Sequence, residues 1–332
     1  MRRLAIVAHY DPRGGAAPHF LRQLDQLAAV AEDIVVASPS PLTADATAAI
    51  SARATLIKRQ NYGHDFGSWR DGLEQYGWAQ DYDELLLTND SYVGFFQPLE
   101  QIYSRMSQRP VEMWGITKSW RHHEHVQSYF LNFTAPALHS QAFQRFWSDA
   151  TPAADRTAAI HNQEVGVSRA MLAAGFRLGS VFEPTLRERR VANLRGVHWL
   201  WRRQTAFPAR FDSLTDKFFS ARRALDAAEA DKLNWSSAFA DSALDRGRLP
   251  LIKFDTFRYD PYWLGAGGLL SALEKQYPRA MSGVRGYLDE TGPFYRARAF
   301  ENYGFAKLSP AERMSIGYAT KPGKGGHDVP NP

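Results

Sequence analysis

Three consecutive leucines, Leu85-Leu86-Leu87, stand between the polar groups Asp83-Glu84 and Thr88-Asn89-Asp90-Ser91. Such a run predicts a short strand buried on both faces that leaves its sheet at Thr88 to Ser91. In open parallel sheets ligands collect outside the carboxyl ends of the strands, so a carboxylate at Asp90 projects into the crevice. The alternative is that Asn89-Asp90-Ser91 is only a turn.

The pattern on either side of this strand repeats a small unit. Leu4–Ala8 reads as a first strand, followed by a glycine-containing loop and a helix from about Pro18 with Phe20, Leu24, Leu27, Ala28 and Ala31 at helical spacing. Ile34–Ala37 is the next strand, Thr43–Ala52 a helix, and Ala54–Lys58 a third strand. This β-α-β-α-β order predicts a parallel sheet with helices on its faces. Pro98–Gln108 carries another helix face, Val111–Thr117 another strand, and Gln127–Phe133 a further one after the polar loop Lys118–Val126. So short a connection makes that last pair antiparallel, and the sheet becomes mixed.

Two more stretches carry candidate chemistry. In Asn61–Arg70 two glycines permit tight backbone, and Phe66, Trp69, Leu73 and Tyr76 start a helix near Asp65. Its first amides suit a diphosphate, with Arg70 adding a positive charge. An Asp cap on an ordinary amphipathic helix is the plainer reading. Asn162–Gly175 reads as a helix ended by its glycine, with Glu164 in the first turn where the helix dipole favours a carboxylate, and Arg177–Phe182 returns to the sheet.

His122, His123 and His125 with Glu124 invite a metal site. Consecutive imidazoles on a loop rarely converge, however, and no HExxH motif is present, so this loop is read as contacting substrate hydroxyls. From Arg187 to Arg223 ten Lys or Arg face three acids, with Trp199, Trp201 and Phe207 interleaved. That mixture suits an anionic membrane face or a lipid diphosphate, against the plainer reading of a solvated surface. Asp212–Leu233 and Asn234–Arg246 read as helices, Leu249–Arg258 as an extended apolar segment, and short helices follow. From Thr320 the Gly-, Pro- and Lys-rich tail is expected to be disordered.

Composition narrows the classes. With 332 residues and 44% hydrophobic content the chain can bury a substantial core. It contains no cysteine, which excludes disulfides, thiolate metal sites and cysteine nucleophiles and fits a reducing cytoplasm. Met1-Arg2-Arg3 and the apolar run after it imitate a signal peptide, but His9, Tyr10 and Asp11 cut the run short. No run has the apolar length of a bilayer span, so membrane contact is expected to be peripheral. A net charge of +5 is modest for this size, and no nucleic-acid reading motif accompanies it.

Several segments together resemble the rhamnan synthesis protein F family, bacterial proteins of cell-surface polysaccharide assembly regarded as glycosyltransferases. They are His9-Tyr10-Asp11, Asn61–Trp69, Leu86–Tyr92, Trp114–Thr117 with Gln127–Phe130, and Pro250–Lys253 with Phe257-Arg258. Their order and spacing over most of residues 1–260 carry the resemblance, which ends at about Ala299. The arrangement is also similar to glycosyltransferases of the GT-A type, whose metal-binding Asp-x-Asp ends a buried strand. Here the equivalent is Thr88-Asn89-Asp90, without the first Asp.

The resemblance implies an α/β, GT-A-like fold: a Rossmann-type mixed sheet flanked by helices, with a mostly helical C-terminal extension. Its expected divisions are a transferase domain over 1–205, with a nucleotide-sugar half of about 1–117 and an acceptor half of about 118–205. A helical extension over 206–305 and a tail over 306–332 follow. It implies a nucleotide-diphosphate sugar as donor, pointing toward dTDP-rhamnose, and a glycan or lipid-linked glycan as acceptor; the chain is expected in the cytoplasm, with the basic, aromatic stretch offering peripheral contact to the inner face of the cytoplasmic membrane. Asp90 stands as metal ligand and catalytic residue for Mg or Mn, against a metal-free site using Arg or Lys. Glu164, followed by Arg169 and Gly175, stands as the base that activates the acceptor, and one base predicts inversion, with retention as the alternative. The donor is assigned to His9, Asn61, Gly63, His64, Asp65, Gly67, Arg70, Asn89 and Ser91. Trp114, His125, Gln127, Ser128, Lys253 and Arg258 are assigned to the acceptor. The rivals are a non-catalytic nucleotide-sugar or glycan-binding component of an assembly complex, and a glycoside hydrolase, which needs no phosphate cradle.

Overall fold

A computed structural model describes residues 1–151, 153, 158–192, 227–262 and 264–295. Most of the basic, Trp-containing stretch, most of the expected helix Asp212–Leu233 and the whole tail lie outside the described residues.

The chain runs through β1 (Arg3–Ala8), α1 (Pro18–Leu27), β2 (Asp33–Ser38), α2 (Ala44–Ser51), β3 (Thr55–Lys58), α3 (His64–Gln75) and β4 (Glu84–Asn89). It continues with β5 (Tyr92–Gly94), α4 (Leu99–Ser107), β6 (Met113–Gly115), β7 (Lys118–Ser119), β8 (His125–Val126) and β9 (Phe130–Thr134). After α5 (Ala135–Leu138) and α6 (Gln141–Asp149), a wide turn of π type at Ala159–Glu164 leads into α7 (Val165–Ala173) and β10 (Leu178–Ser180). The C-terminal part is mostly helical: β11 (Leu251–Lys253) is followed by α8 (Phe254–Tyr259), α9 (Ala266–Gln276) and α10 (Val284–Thr291).

Seven strands make the main sheet in the order β10-β6-β9-β4-β1-β2-β3. β1 pairs parallel with β2 and β4, whereas β9 is antiparallel to both β4 and β6, so the sheet is mixed as the short connection predicted. From β1 the chain builds first toward β2 and β3, then returns to place β4 on the other side. That reversal opens a crevice at the carboxyl ends of β1 and β4, where open sheets bind ligands. Every residue of β1 and β4 is buried, as the leucine run required.

Several elements differ from the sequence expectation. Tyr92–Gly94 carries no strand pattern of its own, yet it forms a two-stranded ladder with Leu251–Lys253. The expected extended segment over Leu249–Arg258 accordingly holds only three strand residues before it coils into α8. The helix expected to begin at Asn162 is already under way by Ala159, so Glu164 lies inside a helical stretch and not in its first turn. The expected helix over Asn234–Arg246 is broken into Trp235–Ala238 and Ala240–Leu244.

Trp69 couples the fold to the crevice. Its indole is fully buried, and Nε1 donates to the Thr88 carbonyl at 2.7 Å, fixing α3 against the end of β4. Trp69→Phe keeps most of the ring burial but removes that bond. The expected loss is about 1–3 kcal/mol in urea unfolding.

Candidate active site

Where β1 and β4 end side by side, the backbone N–H of Tyr10 donates to Oδ2 of Asp90 at 2.8 Å. Asp90 lines a pocket of about 510 Å³, the size of a small-molecule site. The same pocket is lined by Asp65 from the start of α3 and by Glu164 from the wide turn before α7. The three loops singled out in the sequence therefore meet at one mouth of one sheet.

Burial pushes the Asp90 carboxyl up to about 8, and the neighbouring charges of Asp65 and Asp11 push the same way, against the Tyr10 hydrogen bond. Asp65 is raised too, chiefly by burial, although Nδ2 of Asn89 donates to it at 2.7 Å and Lys253 favours its charged form. Asp65 is not a helix cap: Gly63, at φ 72°, starts α3 without any side-chain cap bond, and the carboxylate turns to Asn89. Asn89 Oδ1 in turn accepts from the Ser91 backbone and hydroxyl, so Asn89 and Ser91 hold the corner that presents Asp90.

Two carboxyl groups raised in one cavity are poorly charged alone, and a dication relieves both. Asp65 and Asp90 fit Mg or Mn on that ground, because such ions use one or two carboxylates together with substrate phosphates and water. Among the described residues, those of the histidine loop included, no group of three or more His, Asp or Glu side chains is placed to hold a metal ion. The loop's members diverge: the His122 ring lies 4.4 Å from that of His161, while His125 turns to Glu164.

Glu164 behaves differently from Asp90. Its Oε2 accepts from the Ser128 backbone at 2.8 Å and from the Ser128 hydroxyl, and Oε1 lies 3.5 Å from Nε2 of His125. Burial works to raise its carboxyl, yet His125 and Ser128 override it and hold the group at about 2. His125 shifts the other way, since the Glu164 carboxylate outweighs burial. Its Nδ1 faces the His123 carbonyl at 2.8 Å, so a protonated ring donates at both nitrogens. The depression of Glu164 is traced to these partners. The hairpin of β7 and β8 that carries His125 is pinned to α7 by Val126 N–H donating to Ser168 Oγ at 3.1 Å.

Not every residue assigned from the sequence reaches the pocket. His9 is fully enclosed behind it: Nδ1 meets Ser38 Oγ at 2.9 Å, the ring packs on Phe20, and burial lowers it to about 4. It backs Asp90, with Nε2 at 3.9 Å from Oδ2. Arg70 points away, paired with Glu74 at 3.0 Å and bonded to the Ala150 carbonyl, because it lies past the first turn of α3 on the far face. Trp114 is a core residue packed on Tyr103 and Phe130, since its place in β6 faces the helical layer. Asn61 is exposed outside the pocket. Gly63 and Gly67 shape the loop: a Cβ at Gly67 would stand 2.5 Å from the Tyr62 carbonyl. His64, Gln127, Ser128, Lys253 and Arg258 do line the cavity, although Gln127 is already bonded to Thr117 and Asn234.

The sequence missed Tyr10, Ser119, His161, Asn234, Phe254, Tyr287 and Tyr295 as lining residues. Tyr10 had a local signal, directly beside the end of the first strand. Tyr287 and Tyr295 had none, because nothing in the local pattern connects the last described helices to a pocket whose Asp65, Asp90 and Glu164 stand so much earlier in the chain.

A model of the family described as rhamnan synthesis protein F matches residues 34–197. Protein y4gN of Sinorhizobium fredii is 26% identical over 190 residues, which is 54% of this chain and 49% of that protein. Virulence protein VirA of Vibrio anguillarum is 32% identical over 95 residues, 28% of this chain and 30% of that one. The chain thus spans half or less of the curated relatives it matches. Among solved structures, the mannosyltransferase PcManGT from Pyrobaculum calidifontis, in complex with GDP-Man and Mn2+, covers 88% of this chain and 86% of its own at 12% identity, with a TM-score of 0.38. A 4-diphosphocytidyl-2C-methyl-D-erythritol synthase covers 54% and 87% at 13% identity, with a TM-score of 0.34.

Proposed function

We propose, from a rhamnan synthesis protein F match over residues 34–197, that this chain is a GT-A-like glycosyltransferase using a nucleotide-diphosphate sugar. The observation that carries the reading is the single pocket shared by Asp65, Asp90 and Glu164. The acceptor is a growing or lipid-linked cell-surface glycan, and rhamnose is the sugar toward which the family points. Residues 1–205 form the transferase domain in this reading. The extension expected over 206–305 completes it, and among its described residues the β5–β11 ladder and Arg258 and Tyr287 on the pocket wall support this.

Transfer needs charge neutralised on a departing diphosphate and a proton taken from an incoming hydroxyl. Asp90 and Asp65 would hold a divalent ion that neutralises the diphosphate. The other side of the pocket handles the proton. Glu164 is ionised throughout the physiological range, the form that accepts a proton. Its low basicity is tolerable because the acceptor hydroxyl becomes strongly acidic as its oxygen bonds the anomeric carbon. His125 and Ser128 are positioning groups for that carboxylate. Attack from the Glu164 side with one base gives inversion.

A metal ion at Asp90 must displace its proton, so affinity follows pH with a definite sign. Because the carboxyl is raised to about 8, Mn2+ binding is expected to tighten by up to about tenfold per pH unit below that value and to level off above it. Titration of free Mn2+ by electron paramagnetic resonance reads this directly; a flat profile between pH 6 and 8 removes Asp90 as the ligand.

A second reading, a binding component without chemistry, draws on the occupied oxygens of Glu164 and the missing first Asp. Thermal-shift screening with UDP-, GDP- and dTDP-linked sugars, with and without Mg or Mn, tests whether any donor binds, and turnover by the pure protein separates the two. No helix among the described residues is long and apolar enough to cross a membrane. Contact with a membrane face is proposed as peripheral, through the basic, Trp-containing stretch.

A further inference from the structure

We infer that Lys253 and Arg258, brought to the pocket by the β11–α8 junction, form a binding site for a diphosphate. The inference deepens the transferase reading and rests on it. It moves both residues from the acceptor to the phosphates.

The placement begins with backbone pairing. Lys253 sits opposite Tyr92 in the β5–β11 ladder, and the next residue, Phe254, donates its N–H to the Ser91 carbonyl at 2.9 Å. A cation from the C-terminal part is thereby fixed beside the corner that presents Asp90. Its ammonium stands 5.1 Å from the centre of the Tyr129 ring, a position that orients the charge without neutralising it. Among the described residues no carboxylate lies within ion-pair distance of it.

Arg258 makes the stronger case. The residue is only 8% exposed, yet no carboxylate among the described residues forms an ion pair with it. Its guanidinium lies 3.8 Å over the Tyr295 ring, Nη2 donates to Thr291 Oγ1 at 2.9 Å, and Nε is enclosed with no hydrogen-bond partner. A guanidinium cannot shed its proton, so this arrangement, with the neutral Thr291 and Tyr287 hydroxyls as partners, leaves a permanent charge buried without a counter-charge among the described residues. An incoming anion repairs it.

The anion's chemistry follows from the neighbours. Lys253 is a point charge and Arg258 a planar fork stacked on an aromatic ring, the two cation types that between them hold phosphate groups. Asp65 and Asp90 face the same cavity and favour an anion that brings its own divalent cation. A diphosphate with a divalent ion satisfies both sets at once. It has two sources in this reaction: the nucleotide of the donor, and the lipid diphosphate of a lipid-linked acceptor.

The test measures binding of UDP, GDP, dTDP and farnesyl diphosphate to the whole chain by isothermal titration with Mg2+, with uridine, guanosine and thymidine as uncharged controls. Lys253→Gln and Arg258→Gln are each expected to weaken diphosphate binding about tenfold to a hundredfold and to leave nucleoside binding unchanged. Lys253→Arg is expected to recover most of the loss, which a misfolded variant would not. Loss on the nucleoside diphosphates assigns the site to the donor; loss on farnesyl diphosphate alone assigns it to the acceptor lipid. Unchanged binding of both, or equal loss for nucleosides, overturns the inference while leaving the transferase reading standing. A wild-type protein that binds none of the diphosphates removes both.

Discussion

Asp90→Asn is expected to cut sugar transfer at least about a hundredfold while the protein stays folded. The amide is nearly the same shape and still offers an oxygen to the Tyr10 N–H that Asp90 now accepts at 2.8 Å. It also lacks the charge that burial and Asp65 make costly, so the melting temperature is expected to hold or rise. What the amide lacks is a carboxylate for a divalent ion. The loss should therefore appear in kcat at saturating donor, together with loss of Mn2+ binding. Steady-state kinetics alongside a thermal melt reads both, and near-normal turnover in the folded variant removes Asp90 from the mechanism.

Glu164→Gln is expected to produce a loss of similar size for a different reason. The substitution keeps an oxygen for the Ser128 N–H but removes the charge that shifts His125 upward. In its proposed role as base the residue acts on the hydroxyl, so kcat should fall at least about a hundredfold with little change in donor affinity. A purely structural Glu164 would instead show in donor binding or in the melt.

The ion pair also sets an acid limit. Because Glu164 is depressed to about 2, its contribution to stability is complete above its unfolded value near 4.5 and fades as pH falls between the two. The His125 contribution has the opposite sign. It is present below the unfolded histidine value of 6.5 and fades as pH rises through the raised folded one.

The main sheet was legible in the sequence because its strands are buried on both faces and announce themselves as apolar runs, Leu85-Leu86-Leu87 most clearly. The antiparallel turn at β9 followed from loop length alone. Tyr92–Gly94 was not legible, since a three-residue strand is defined by its partner, and that partner comes some 160 residues later in the chain.

The site divides along the same line. Asp65, Asp90 and Glu164 stand in or directly beside strong elements, so local pattern placed them. Arg70 and Trp114 were misassigned because sequence spacing does not say which face of α3 or β6 turns toward the crevice; Ala150, Tyr103 and Phe130 decide that. The pairing of Glu164 with His125 and Ser128 depends on how a hairpin folds over a wide helical turn, which no local periodicity records.

The central claim is that one pocket holds an activated sugar between Asp90 and Glu164. Release of nucleoside diphosphate from UDP-, GDP- and dTDP-linked sugars by the pure wild-type protein, with Mg2+ or Mn2+ present, tests it most directly. The account predicts slow release from one nucleotide class without any acceptor, stimulated by the cation and abolished in Asp90→Asn. A folded protein that neither binds nor cleaves any of these donors contradicts it.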